Sequence, residues 1–218
     1  MTRPIDEPRN ARSRRTRSAI LAATRELLEE RGPGALSMAA VADRAGTSRR
    51  GVYLHFASRT ELVTALFDYL AETEGLHTSL ARVWAAPDGP AALAEWARHL
   101  ARYHPRVLAV DQAVRRVRRE DPDAELHHAR AAASQLAHCR RLTEWLAREG
   151  RLAPPWTPGT AADLLRALVS SDVIETLLDE REWTAAELGD RLALLYTRTF
   201  VAPAPAPLPQ GGRGAAPA

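Results

Sequence analysis

Apolar positions recur along this chain at spacings of three and four, and the pattern predicts helices throughout and no strand. Between Thr16 and Arg31, Ile20, Ala23, Thr24, Leu27 and Leu28 form one stripe, with Arg25, Glu26, Glu29 and Glu30 opposite. Gly32-Pro33-Gly34 ends it. Ser37 is a good N-cap for a short helix carrying Met38, Val41 and Ala42, stopped by Ala45-Gly46. A second short helix follows at once, capped by Thr47 or Ser48, with Val52 facing inward and Arg49, Arg50, Tyr53 and His55 on other faces. A turn this tight usually needs a residue at positive φ, and Gly46 supplies it. Ser58-Arg59-Thr60-Glu61 is a capping box for a fourth helix, whose pattern continues through Leu62, Leu66, Phe67 and Leu70 toward Val83 and Trp84.

Asp88-Gly89-Pro90 breaks the pattern, Ala91–Tyr103 resumes it, and Pro105 marks the boundary with a shorter helix over Val107–Arg118. Asp121-Pro122-Asp123 caps a long helix to Glu149, carrying Leu126, Ala129, Ala133, Leu136, Leu142 and Leu146. After Gly150 and a Pro-rich loop, Thr157-Pro158 starts a helix running to Leu178. Thr184-Ala185-Ala186-Glu187 starts the last, with Leu188, Leu192, Leu195 and Phe200. The expected fold is all-α, about nine helices. It divides into a basic disordered arm (1–12), a three-helix helix-turn-helix domain (13–60), a larger helical domain (61–202), and a Pro/Ala/Gly-rich disordered tail (203–218).

Charge sharpens this division. Residues 1–62 hold twelve arginines against seven acids, whereas residues 63–218 hold eighteen against twenty. The positive end is the end with the tight helix pair, the footprint of a small module that approaches phosphates. In a helix-turn-helix the second helix enters the major groove, where Arg forks onto guanine and Ser, Thr or Tyr reaches phosphate or base edges. Arg9, Arg12, Arg14, Arg15 and Arg17 leave two readings open, a solvated tail or an arm that touches phosphate or the minor groove. The complete absence of lysine carries no functional weight.

Other chemistries find little support. No apolar run approaches 18 residues and MTRPIDEPRN has no apolar core, so a cytoplasmic protein without membrane span or secretory signal is expected. The single cysteine, Cys139, rules out an internal disulfide framework. His127 and His138 lie three turns apart on one helix, too far to share an ion, and Glu95 with His99 lacks a third ligand; no metal and no cofactor are expected. G-x-S-x-G, a phosphate loop and H-E-x-x-H are all absent, so no catalytic residue is assigned and an enzyme is not expected. Phe67, Leu70, Trp84, Trp96, Tyr103 and Trp145, with His99 as polar partner, are candidates for lining a small-molecule pocket, against the simpler reading of core packing.

The stretch Ala-Val-Ala-Asp-Arg-Ala-Gly, then Gly46-Thr-Ser-Arg-Arg-Gly-Val-Tyr-Leu-His-Phe and Ser58-Arg-Thr-Glu-Leu62, resembles the TetR family of bacterial transcriptional regulators over roughly residues 13–70. The resemblance implies a homodimer with a DNA-binding amino-terminal domain and a ligand-binding carboxy-terminal domain that dimerises through its last two long helices. Carried over by position, Ser37, Thr47, Ser48, Arg49, Arg50, Gly51, Tyr53, His55 and Arg59 fall in the DNA-binding set. Thr47 stands where a β-branched apolar residue is more usual. Gly51 stands where Thr or another small contact residue is common. Leu164, Leu168, Ile174, Leu178, Leu188, Leu192 and Leu195 are candidates for the dimer interface. The expected function is a repressor that binds a near-palindromic operator on double-stranded DNA and is released by a small-molecule effector. The alternatives are a ligand-independent regulator, an activator and, further off, a helical enzyme.

Overall fold

The computed structural model describes residues 11–168 and 170–203. The tail expected from residue 203 therefore falls almost wholly outside the described residues, as does the arm up to residue 10. Ala11 and Arg12, assigned to that arm, are instead the first residues of helix α1, Ala11–Arg31. No residue before Arg31 breaks the helix, so it extends beyond the apolar stripe that marked it in the sequence.

A 3-10 turn, Pro33–Ala35, leads to α2, Met38–Arg44, and α3, Arg49–His55. The link between α2 and α3 is a Schellman motif: Thr47 N–H donates to Ala42 O at 3.0 Å and Gly46 N–H to Asp43 O at 3.3 Å, with Gly46 at φ +63°. Ser37 Oγ accepts from Ala40 N–H, and Ser48 Oγ from Gly51 N–H, so both serines are N-caps. Helix α4, Arg59–Thr73, is capped by Ser58 Oγ on Glu61 N–H, while Glu61 reaches one residue past the cap to Ala57 N–H.

Three expected boundaries are corrected. The single fourth helix is two, α4 and α5 (Leu76–Trp84), divided by Gly75 at φ +75°. An isolated glycine in a continuous apolar pattern left no mark in the periodicity. Conversely, the helices on either side of Pro105 are one, α6, Gly89–Val117. A proline inside a helix costs about 3 kcal/mol. Here it sits on the exposed face, and burial of Leu100 and Ala101 before it and Leu108, Val110, Ala113 and Val114 after it keeps the two halves in line. After α7, Pro122–Arg148, the helix expected to reach Leu178 stops at Leu168 (α8, Pro158–Leu168). It resumes as the short α9, Ser171–Glu175, and a π-helical turn, Thr176–Glu180. With α10, Ala185–Phe200, the described residues hold ten α-helices. The one extended pairing among them is an isolated bridge between Leu152 and Val201. Beside it Ala153 N–H donates to Phe200 O and Trp156 Nε1 to Thr199 O, tying the end of α10 to the loop after α7.

Two apolar clusters result. The first unites α1, α2, α3 and α4 through Ile20, Leu28, Val41, Val52, Phe56 and Leu66, and is entered from α6 by Val110. The second is built on α6 around Trp96, Leu100, Leu142, Leu165, Tyr196 and Phe200. Helices α6 and α10 approach closely at Gly189, where a Cβ would stand 3.3 Å from that of Ala101. Helix α6 thus contributes to both cores.

Candidate nucleic-acid interface and internal cavity

Val52 is fully buried and fixes the rotation of α3, which leaves Arg49, Arg50 and Tyr53 on the outer face. Tyr53 is 39% exposed and the Arg49 guanidinium lies 5.7 Å from its ring centroid, so a cation and an aromatic edge stand side by side. Ser37 and Ser48 are exposed, but the structure uses their hydroxyls as helix caps. His55 is buried beside Phe56, and its pKa is lowered by burial first and by the charge of Arg17 second. Arg17 itself stacks on Phe56, 4.4 Å from the ring centroid, bringing one of the amino-terminal arginines to the carboxy-terminal end of α3.

Thr47 and Gly51, which the sequence marks as separate departures, are in contact. A Cβ on Gly51 would lie 2.6 Å from Thr47 Oγ1 and 3.3 Å from Ser48 Oγ. Alanine in a helix interior is worth about 1 kcal/mol over glycine. In Gly51→Ala that gain is expected to be cancelled by displacement of Thr47, whereas in a Thr47→Ala background it is expected in full. Denaturant melts of the four proteins should show a coupling of about 1 kcal/mol; additive changes would mean the two side chains do not interfere.

Arg59 begins α4 yet is turned toward α7. Its Nη2 lies 2.7 Å from Asp121 Oδ2 and its Nη1 3.7 Å from Asp123 Oδ2, while Thr60 Oγ1 donates to Asp123 Oδ1. Nothing in the local pattern around Arg59 points to this partner, because the pairing joins two segments remote from each other along the chain. The Arg59 guanidinium holds the Asp121 carboxyl below its ordinary value of 3.8. A depressed carboxylate stabilises the fold at pH values above 3.8, and the contribution is lost as pH falls through the folded value. Asp121 also caps α7, accepting from Asp123 and Ala124 N–H, a role asparagine retains. Asp121→Asn is therefore expected to cost about 1 kcal/mol at neutral pH and nothing at about pH 2. A loss that persists unchanged in acid would assign the effect to the cap.

Between α4, α5, α6 and α7, with α8 and α9 at one edge, lies a cavity of about 990 Å³. Five of the seven pocket candidates line it: Phe67, Leu70, Trp96, His99 and Tyr103. Trp84 and Trp145 do not. Trp84 is covered by the Arg141 guanidinium at 3.9 Å, and Trp145 donates through Nε1 to Glu149. The periodicity places all of these on helices of one core and could not tell the inner wall from the outer. His104, Arg166 and the stacked pair Phe67–His127 line it too; of these only Phe67 was singled out in the sequence as a pocket residue. His99 Nδ1 is 2.9 Å from Ser79 Oγ. Burial drives His99 down to about 3 and His104 and His127 to about 4, so all three are neutral at physiological pH. Buried Cys139, its thiol pushed up to about 12, is not a nucleophile at neutral pH. Among the described residues no group of three or more His, Cys, Asp or Glu could hold a metal ion, and no helix is long and apolar enough to cross a membrane.

Of the seven interface candidates, Ile174, Leu188 and Leu192 are buried in the chain's own core, and Leu164, Leu168 and Leu178 are partly buried. Leu195 is 44% exposed, beside Leu194 at 49% on the same face of α10.

The sequence profile of the bacterial regulatory proteins of the tetR family matches residues 20–66, which span α1 to most of α4. Over residues 20–66 the chain therefore carries a segment of the TetR type. Over 73 residues it is 38% identical to the HTH-type transcriptional regulator TtgR of Pseudomonas putida, which is 34% of this chain and 33% of that protein. The match thus spans about a third of that relative's length. Solved structures extend the likeness of fold over almost the whole chain. NalD, the secondary repressor of the MexAB-OprM multidrug efflux pump in Pseudomonas aeruginosa, superposes with a TM-score of 0.68 at 22% identity, covering 87% of this chain and 98% of NalD. A TetR transcription regulator from Haloarcula marismortui gives 0.68 at 17% identity, covering 87% and 100%. At these identities the likeness shows the fold alone. The TetR-type module and the cavity beside it are therefore joined in one helical architecture.

Proposed function

We propose that this chain is a TetR-type transcriptional repressor that binds a near-palindromic operator as a dimer and is released when a small molecule enters the cavity. The observation that carries the reading is the α3 face: a capped helix, rotated by buried Val52, presents Arg49, Arg50 and Tyr53 outward from a basic module. Arg49 and Arg50 have the chemistry to read guanine O6/N7, and Tyr53 to bond phosphate or a base edge. Ser37, Ser48, Thr47 and Gly51 shape and cap the helix pair, with their exposed edges turned to the backbone of the duplex. His55 supports α3 from beneath. Arg59 reaches phosphate only by leaving Asp121, so DNA binding competes with its tie to α7.

Residues 13–60 are the reading domain and 61–202 the effector and dimer domain, with α4 packed on the first and leading to the second. Two reading helices fit successive major grooves when they are about 34 Å apart. The exposed face of α10 around Leu194 and Leu195, together with the partly buried Leu164 and Leu168 of α8, is the surface proposed to join the two copies. An effector lowers DNA affinity only by binding the non-DNA conformation better. The 990 Å³ cavity favours this ligand-released mechanism over a regulator whose pocket its own tryptophans fill.

The test is selection of bound fragments from genomic DNA, followed by titration of the recovered duplex at several salt concentrations. Specific binding by two chains per site, with log K falling linearly against log salt, is the expected result. Recovery of random fragments bound with no preference would overturn the reading.

A further inference from the structure

Taking the cavity as the effector site, we infer that its effector is an amphipathic carboxylate, with an aromatic or alkyl body on the Phe67–Trp96–Tyr103 wall and its anion paired with Arg166. The charges around the cavity do not balance. Six arginines and four acids line it, but Asp111 and Asp172 are both engaged by Arg115. The acids left are Asp68, which is exposed, and Glu175, and neither forms an ion pair among the described residues. Arg116, Arg119 and Arg130 are exposed at the mouth, where water solvates them, and Arg118 ends α6 among them.

Arg166 is different. It is partly buried on α8, lines the cavity, and has no ion pair or hydrogen bond among the described residues. Its charge acts on His104, which lines the same cavity, and on the fully buried Cys139. A partly desolvated cation without a counter-charge costs free energy, and an entering carboxylate removes that cost with two parallel N–H···O bonds. The imidazoles nearby stay neutral, so each can donate one N–H to an oxygen and none repels a second group of the ligand. An ammonium ligand would instead add a like charge beside Arg166. Leu70 and Leu100, both buried in the wall, complete an apolar bed for the ligand body.

Calorimetric titration of the full chain, in the absence of DNA, with 1-naphthaleneacetate, 1-naphthaleneacetamide and 2-(1-naphthyl)ethylammonium tests this. The three share a ring system and differ in charge. The carboxylate is expected to bind at least about tenfold tighter than the amide, with the ammonium weakest. Arg166→Gln should erase the difference between carboxylate and amide while leaving the amide within about twofold of wild type, and Arg166→Lys should keep part of it. Unchanged amide binding shows in the same experiment that the variant is folded. Amide or ammonium binding as tight as the carboxylate, a preference that survives Arg166→Gln, or no binding of any probe would each overturn the inference. Operator binding is measured separately, so the DNA-reading proposal stands or falls on its own.

Discussion

The double substitution Arg49→Ala/Arg50→Ala is expected to abolish specific operator binding while leaving the fold intact. Both side chains are exposed on the outer face of α3, and neither has an ion pair within the described residues, so truncation removes little that holds the module together. A bidentate Arg–guanine contact is worth about 1–3 kcal/mol, and loss of a phosphate contact lowers affinity for all sequences alike. The two single variants therefore separate the roles. A base reader relaxes specificity at one position of the site, whereas a phosphate partner lowers the salt slope by about one. Anisotropy titrations on the selected duplex, with thermal melts as control, give both numbers. Wild-type affinity in the double variant would remove α3 as the reading helix.

Acid should destabilise the protein well above the range where carboxylates titrate. His99, His104 and His127 stand at about 3, 4 and 4 in the fold, against an ordinary 6.5, because burial penalises the imidazolium. The unfolded chain takes up protons at these sites below 6.5, whereas the folded chain does not until pH reaches about 4. Stability therefore falls as pH falls through that window. One proton taken up on unfolding gives a slope of about 1.4 kcal/mol per pH unit, and three set a ceiling of about 4. Local relaxation around the cavity lowers this, so a loss of about 2–4 kcal/mol between pH 7 and pH 5 is expected, a large share of a typical domain's stability. Urea melts at pH 7, 6 and 5 measure it, and His104→Gln should flatten the slope by about one proton. The Arg59–Asp121 contribution is lost only below 3.8, so the two effects occupy different ranges. A midpoint that does not move between pH 7 and 5 would mean the imidazoles are accessible to protons in the fold.

Local features were legible in the sequence because their causes are local. Ser37, Ser48, Ser58, Asp121 and Thr184 each cap the helix that follows within three residues, and Gly46 makes its turn whatever lies across from it. The periodic burial of Val41, Val52, Leu66 and Leu142 follows from a 3.6-residue repeat. For the same reason the helix-turn-helix and the all-α fold could be read without coordinates. Pro105 and Gly75 show the limit. Proline was overruled by a buried face continuous on both sides of it, and glycine broke a helix that the apolar pattern carried straight through.

What the sequence by itself determined is the all-helical character of the chain, the caps of α2, α3, α4, α7 and α10, the helix-turn-helix, and the basic character of one end. Each of these is set by residues a few positions apart. The tertiary structure alone decided that Arg59 is held by Asp121, that Thr47 and Gly51 compete for one space, and which side of the core is open. It also decided that Trp84 and Trp145 face away from the cavity while Arg166 and His104 face it. Those facts depend on which helix lies across from which, and a pattern of apolar positions states that a face is buried without stating against what.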